Sequence, residues 1–150
     1  MTDNKWDQRF IELARHVAQW SKDPSTKVGC VLVNENRIVI GMGYNGFPRG
    51  VNDDQERYEN RPVKYMMVQH AEANALFNAT VSVRGATAYV THPPCCNCAG
   101  ALIQSGVTRI VTVTPDEGLA ERFKESFEIS ETMFHEAGLI VHHVKNQHKP

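Results

Sequence analysis

Long hydrophobic runs are missing from this sequence. No apolar stretch reaches the ~18–20 residues that a helical bilayer span requires, so no membrane association is expected. An excess of either charge is missing too: 16 Lys and Arg face 17 Asp and Glu, a formal net charge of −1. That balance excludes a strongly basic nucleic-acid surface and a polybasic membrane binder. The opening MTDNKWDQRF lacks the basic-then-apolar layout of a signal peptide, so a cytoplasmic protein is expected. Cysteine is scarce, four in 150 residues, and three of the four crowd into positions 95–98. Neighbouring cysteines bridge one another poorly, so this is no disulfide framework and points to metal or redox chemistry instead. What is present is ordinary for a folded chain: 41% hydrophobic and 22% charged residues, too apolar for disorder. The length fits one domain over residues 1–150, large enough to bury a core without covalent staples.

Along the chain, Trp6, Phe10, Leu13, Ala14 and Val17 fall on one helical face, with Asp3 or Asn4 as the N-cap. Pro24 interrupts. Val28–Val33 and Arg37–Gly43 read as a hairpin turning at Asn34–Asn36, both strands apolar enough to be covered on both faces. Positions 45–65 are irregular and charged, a long loop of the kind that is usually functional or holds short helices. Helix over 70–80, strand over 87–91, helix over 95–105 stopped by Gly106, and strand over 108–114 follow. One long helix then opens at Pro115-Asp116, carries Leu119, Phe123, Phe127 and Phe134, and stops at Gly138. A last strand covers 139–144, and 145–150 should fray. The alternation predicts a three-layer α/β/α domain on a mixed five-stranded sheet, its parallel strands joined by an N-terminal hairpin that adds an antiparallel edge.

Two short motifs carry chemistry: His70-Ala71-Glu72, and Pro94-Cys95-Cys96-Asn97-Cys98 after a strand. Cys95 and Cys98 are three apart and share a face of a helical turn, where the helix dipole favours thiolates. One His and two Cys supply three tetrahedral zinc positions and leave the fourth open, the mark of a catalytic rather than a structural zinc. Glu72 is two positions from His70, off its face, and suits acid/base work better than ligation. Alternatives stand beside this. Cys-x-x-C opening a helix is also a thioredoxin-like redox site, and His92 is near enough in sequence to complete a structural zinc. His16, His135, His142, His143 and His148 read as surface or packed histidines, Cys30 and Cys96 as packing.

His-x-Glu followed by Pro-Cys-x-x-Cys resembles the signature of zinc nucleobase deaminases, in which one glutamate serves every proton transfer. The likeness is closer still to the deoxycytidylate (dCMP) deaminase family within the cytidine-deaminase-like superfamily. It runs over roughly residues 10–144, through Ser21-Lys22-Asp23-Pro24-Ser25-Thr26-Lys27-Val28-Gly29, Gly43-Tyr44-Asn45-Gly46-Phe47-Pro48-x-Gly50, His70-Ala71-Glu72-Ala73-Asn74-Ala75 and Pro94-Cys95-Cys96-Asn97-Cys98-Ala99. The resemblance implies hydrolysis of dCMP to dUMP and ammonia, feeding thymidylate synthesis. It implies one Zn2+ per chain on His70, Cys95 and Cys98, with Glu72 as proton shuttle. Asn45 would contact the sugar and the backbone at Ala71 the pyrimidine. A 5′-phosphate needs hydroxyls, backbone N–H groups and a cation, which Ser25, Thr26 and Lys27 offer, with Arg49 as a further cation. Tyr89 either packs beside the base or fills the sheet. The family implies a homohexamer activated by dCTP and inhibited by dTTP, Mg2+ accompanying the triphosphate, with Gly43, Tyr44, Gly46, Pro48 and Arg49 forming an effector loop. A deaminase of another cytosine nucleotide or nucleoside, or one resembling tRNA adenosine deaminases, is the alternative. Nucleic-acid substrates fit poorly with the near-neutral composition.

Overall fold

A computed structural model of the chain describes residues 4–145. Asp3, His148 and the stretch 146–150, where fraying was expected, lie outside the described residues. Helix α1 (Lys5–Ala18) starts where Asn4 Oδ1 accepts the Asp7 amide at 2.8 Å, so the cap is Asn4. Strands β1 (Gly29–Val33) and β2 (Val39–Tyr44) form the expected hairpin. Its turn is held by Asn34 Oδ1, which accepts the amides of Asn36 and Ile38, and Arg37 takes a positive φ of 62°. Then come α2 (Gln55–Glu59), α3 (Arg61–Met67), α4 (Ala71–Asn78), β3 (Thr87–Val90), α5 (Cys96–Gln104), β4 (Arg109–Val113), α6 (Glu117–Arg122), α7 (Lys124–Ala137) and β5 (Ile140–Val144).

The five strands lie in the order β2-β1-β3-β4-β5. β1 runs antiparallel to both β2 and β3, while β3, β4 and β5 are parallel. The sheet is therefore mixed, as expected, with two ladders of each kind: β1 pairs antiparallel with β3 as well as with its hairpin partner. Alternation along the strands divides the core. Val31, Val33, Tyr89, Val111 and Val113 face α1, against Phe10, Ile11, Ala14 and Val17. Cys30, Leu32, Ala88, Val90 and Ile110 face the other way, against Ala71 and Ala75 of α4, Ala99 and Leu102 of α5, and Phe134 of α7. Three layers result.

Two expectations change. β2 is not covered on both faces: it is the edge strand, and Val39, Met42 and Tyr44 are exposed. Its covered positions are Gly41 and Gly43, because α4 lies directly on them. A Cβ on Gly43 would come within 2.6 Å of the Ala71 carbonyl oxygen. The single helix from 115 to 138 is in fact two. Phe123, at φ −114° and ψ 20°, breaks the helical path between α6 and α7. The break turns Leu119, Phe123 and Phe127 toward a pocket, and of the four apolar residues assigned to that helix only Phe134 joins the core. The irregular stretch 45–65 resolves into loop plus the short helices α2 and α3. Its ends are tied by the Gly46–Gln69 bridge, and Phe47 stacks on Tyr58 with ring centroids 4.3 Å apart.

Candidate metal centre and its pocket

Two helix N-termini meet beside the C-terminal end of β3. His70 is the N-cap of α4 and Cys95 the N-cap of α5, so each helix starts one residue later than the expected 70 and 95. The Pro94 carbonyl accepts the Ser130 hydroxyl at 2.9 Å, and the Cys96 amide donates to Ser126 Oγ at 3.0 Å. These two bonds from α7 fix the loop that carries the cysteines. His70 Nδ1 then lies 3.4 Å from Cys95 Sγ and 3.3 Å from Cys98 Sγ, and all three donor atoms lie within 4.8 Å of one another. Ligands on a tetrahedral zinc, at about 2.3 Å for sulfur and 2.05 Å for nitrogen, are separated by about 3.6–3.8 Å. The trio therefore fits that ion with little movement. No other group of three ligating side chains stands together among the described residues, and His92 is not part of this one. Cys30 is fully buried in the core beneath the site.

The electrostatics follow from crowding. Hydrogen bonding from Cys98, with a further contribution from His70, pulls the Cys95 thiol down to about 4, whereas Cys98 is pushed up by Cys95 and by burial. The Cys95 sulfur raises the pKa of His70 in turn. One thiolate thus forms readily and the imidazole faces it. Glu72, in the first turn of α4, is only 4% exposed. Burial raises its carboxyl to about 7, where it can both take and give a proton near neutrality.

The trio opens into a cavity of about 430 Å³, within the range of small-molecule sites. His70, Ala71, Glu72 and Cys95 line one part, and Val28, Asn45, Ser25 and Thr26 another. Helices α3 and α6 supply the rest, including Arg61, Lys64, Tyr65, Arg122 and Phe123. Behind the Ser25–Thr26 wall is a buried polar knot. Asp23 accepts the amides of Ser25 and Thr26 and sits 2.8–2.9 Å from Lys64 Nζ. Asn45 gives its two amide hydrogens to Thr26 O and Asp23 Oδ2 and accepts the Val28 amide. Only one lone pair of Asn45 Oδ1 remains for anything in the cavity.

Of the residues singled out by sequence, His70, Ala71, Glu72, Cys95, Asn45, Ser25 and Thr26 come together, with Cys98 just behind them. Others do not. Lys27 lines a different depression, beside Arg15 and Gln19. Tyr89 is buried on the α1 side of the sheet and donates to Asp7 Oδ1 at 2.9 Å, so it fills the sheet. Gly43, Tyr44, Gly46, Pro48 and Arg49 do not line the cavity. Gly43 packs on α4, the Tyr44 carbonyl accepts Asn74, Gly46 pairs with Gln69, the Pro48 carbonyl accepts the Val51 amide, and Arg49 donates to Asn78 at 2.8 Å. Sequence reasoning passed over Lys64, Arg61 and Arg122. The length and charge of the stretch 45–65 suit a functional loop or short helices, but nothing in its spacing says which charges turn inward.

Comparison with known proteins agrees with the geometry. The family model for the cytidine and deoxycytidylate deaminase zinc-binding region matches residues 4–114. An uncharacterized deaminase from the luxG 3′ region of Aliivibrio fischeri is 42% identical over 138 residues, 92% of each chain. Human deoxycytidylate deaminase is 37% identical over 129 residues, 79% of this chain and 72% of that one. The crystal structure of a cyanophage S-TIM5 dCMP deaminase with dCMP and dUMP superposes with a TM-score of 0.73 at 21% identity, covering 96% of this chain and all of that one.

Proposed function

This chain belongs to the cytidine and deoxycytidylate deaminase family, and we propose that it hydrolyses dCMP to dUMP and ammonia. The observation that carries the reading is Glu72, a buried carboxyl poised near neutral pH beside a His-Cys-Cys trio at the floor of a nucleotide-sized cavity. A zinc ion held by His70, Cys95 and Cys98 supplies the nucleophile when bound, by making water acidic enough to lose its proton near pH 7.

The chain's own groups do the remainder. Glu72 accepts the proton that water gives up and delivers it to N3 of the cytosine ring as oxygen adds at C4. It then takes the remaining proton of the oxygen at C4 and hands it to the amino group; the C4 carbonyl forms, the C–N bond breaks and ammonia leaves. Burial of Glu72 keeps these transfers away from bulk solvent and holds the carboxyl at a pKa suited to both directions. The backbone at Ala71 meets the pyrimidine edge, a role supported by its burial in the cavity lining. Asn45, pinned by three hydrogen bonds, offers its remaining lone pair to the sugar. Ser25 and Thr26 belong to the same wall.

Further parts of the reading are one zinc per chain, a single domain over 1–150, a cytoplasmic setting and a place upstream of thymidylate synthesis. A homohexamer activated by dCTP with Mg2+ and inhibited by dTTP also belongs to it. No described helix is long and apolar enough to cross a membrane. The test is the ultraviolet change when zinc-loaded protein meets dCMP, with deoxycytidine, CMP and dCTP in parallel. Loss of the cytosine band with dCMP is expected; no change with any of the four would overturn the substrate. A hyperbolic rate curve that ignores dCTP and dTTP would remove the regulatory part alone.

A further inference from the structure

The cavity has a floor and a mouth of different chemistry. At the floor, Ala71 and Glu72 are almost wholly buried. Three cations also line the cavity: Arg61, Lys64 and Arg122. Lys64 is already neutralised, because its ammonium lies 2.8–2.9 Å from both oxygens of Asp23 and its side chain is 10% exposed. His92, also on the wall, is pushed toward the neutral form by burial. Arg61 and Arg122 differ from both. Each is exposed, and neither is ion-paired with any carboxylate among the described residues. Arg122 touches only neutral groups: it donates to the Tyr65 hydroxyl at 3.5 Å and lies 5.1 Å from the Phe123 ring centre.

The two guanidinium groups come from different helices, Arg61 from the start of α3 and Arg122 from the end of α6. The Tyr65–Arg122 contact spans the gap between those helices. Two planar, permanently charged forks facing one cavity without a counter-charge match a dianion that carries three acceptor oxygens. Helix α6 buries none of its own side chains; few contacts resist its settling onto a ligand. Resting on the nucleotide reading of the floor, we propose that Arg61 and Arg122 receive the 5′-phosphate and that this pair, not Lys27, makes the monophosphate the substrate. The Tyr65 hydroxyl aligns the Arg122 fork before the nucleotide arrives.

The experiment compares zinc-loaded wild type with Arg61→Met, Arg122→Met, Arg122→Lys and Lys27→Met, reading kcat/KM for dCMP and for deoxycytidine. Calorimetry of dUMP and deoxyuridine binding to the same proteins gives a readout independent of turnover. Each arginine-to-methionine change is expected to lower kcat/KM for dCMP roughly 10- to 100-fold, the scale of a hydrogen bond to a charged group. The loss with deoxycytidine should be roughly tenfold smaller, dUMP affinity should fall in step, and Arg122→Lys should lie between. Both arginines are exposed, so the variants should fold. Arginine variants that keep the wild-type preference for phosphorylated ligands, or a Lys27→Met variant that loses it, would overturn the proposal. Wild type that deaminates neither compound refutes the dCMP reading instead, and the dUMP titrations then still judge the arginines.

Discussion

Two buried carboxyls, at opposite faces of the sheet, show how environment sets what the same group does. Glu72 has no cation to hold it ionised as firmly as burial opposes it, so it stays near neutrality and can move protons. Glu72→Gln keeps the shape and removes the proton carrier. Turnover of dCMP should fall by about 10²–10⁴-fold while zinc content and melting temperature stay at wild-type values; a variant that keeps its rate would remove Glu72 from the chemistry. Asp7 is the opposite case. Burial alone would raise its carboxyl, but hydrogen bonds from Arg109, at 2.6 and 2.9 Å, and from Tyr89 hold it below the usual range, with His142 adding to the effect. A lowered folded pKa stabilises the fold above the unfolded value of about 3.9 and loses that contribution as pH falls through the folded value. Asp7→Asn should thus cost most near neutrality, and its gap from wild type in denaturant midpoint should close as pH drops below about 4. A gap that widened in acid would contradict the sign.

Elements position these residues through contacts that tolerate little change. Helix α4 carries His70 at its cap and Glu72 in its first turn, and it rests on Gly41 and Gly43 of β2 with no room for a methyl group. Gly43→Ala should push α4 off the sheet at a cost of about 1–3 kcal/mol, seen as a lower melting temperature together with weaker zinc binding. Full stability and full zinc affinity in that variant would mean that the helix can shift freely. The α3 segment is held differently, by the buried Lys64–Asp23 pair. Lys64→Met leaves Asp23 buried without its cation and should destabilise by about 3–5 kcal/mol, whereas adding Asp23→Asn should recover part of that in a double-mutant cycle. Additive losses would show that the two groups are not coupled. The sequence disclosed α1, α4, α5 and the hairpin because their apolar spacing and caps are local signals. It concealed the break at Phe123: Leu119, Phe123, Phe127 and Phe134 keep helical spacing through it, and only the cavity explains why the first three turn away from the core.

For the whole molecule, metal and fold should be linked, since the ligands come from two separate helices and an ion holding both favours the folded state. Chelation should abolish activity and lower the melting temperature, and zinc should restore both; saturation at about 1,000 times the dissociation constant corresponds to about 4 kcal/mol. Metal analysis should give one zinc per chain. Verified metal-free protein with unchanged stability would mean that the trio does not tie α4 to α5 through an ion.

Some of this was fixed by sequence because it depends on short-range pattern. His70-x-Glu72 and Cys95-x-x-Cys98 name their chemistry within three residues each, and period-2 and period-3.6 apolar spacing name the layers. Other features needed the tertiary structure because side-chain direction in loops and edge strands has no period to read. Lys27 follows Thr26 in sequence, yet it lines another depression, while Arg61 and Arg122, sixty-one positions apart, face one cavity. Gly43, placed by the resemblance in an effector loop, lets a helix lie against its strand. The pleat sets Tyr89 opposite Ala88 and Val90, but only the packing of α1 and α4 decided that its face is the one toward Asp7 and theirs the metal side. Which charges are neutralised, as Lys64 is by Asp23 forty-one positions away, was decided only when the chain brought them together.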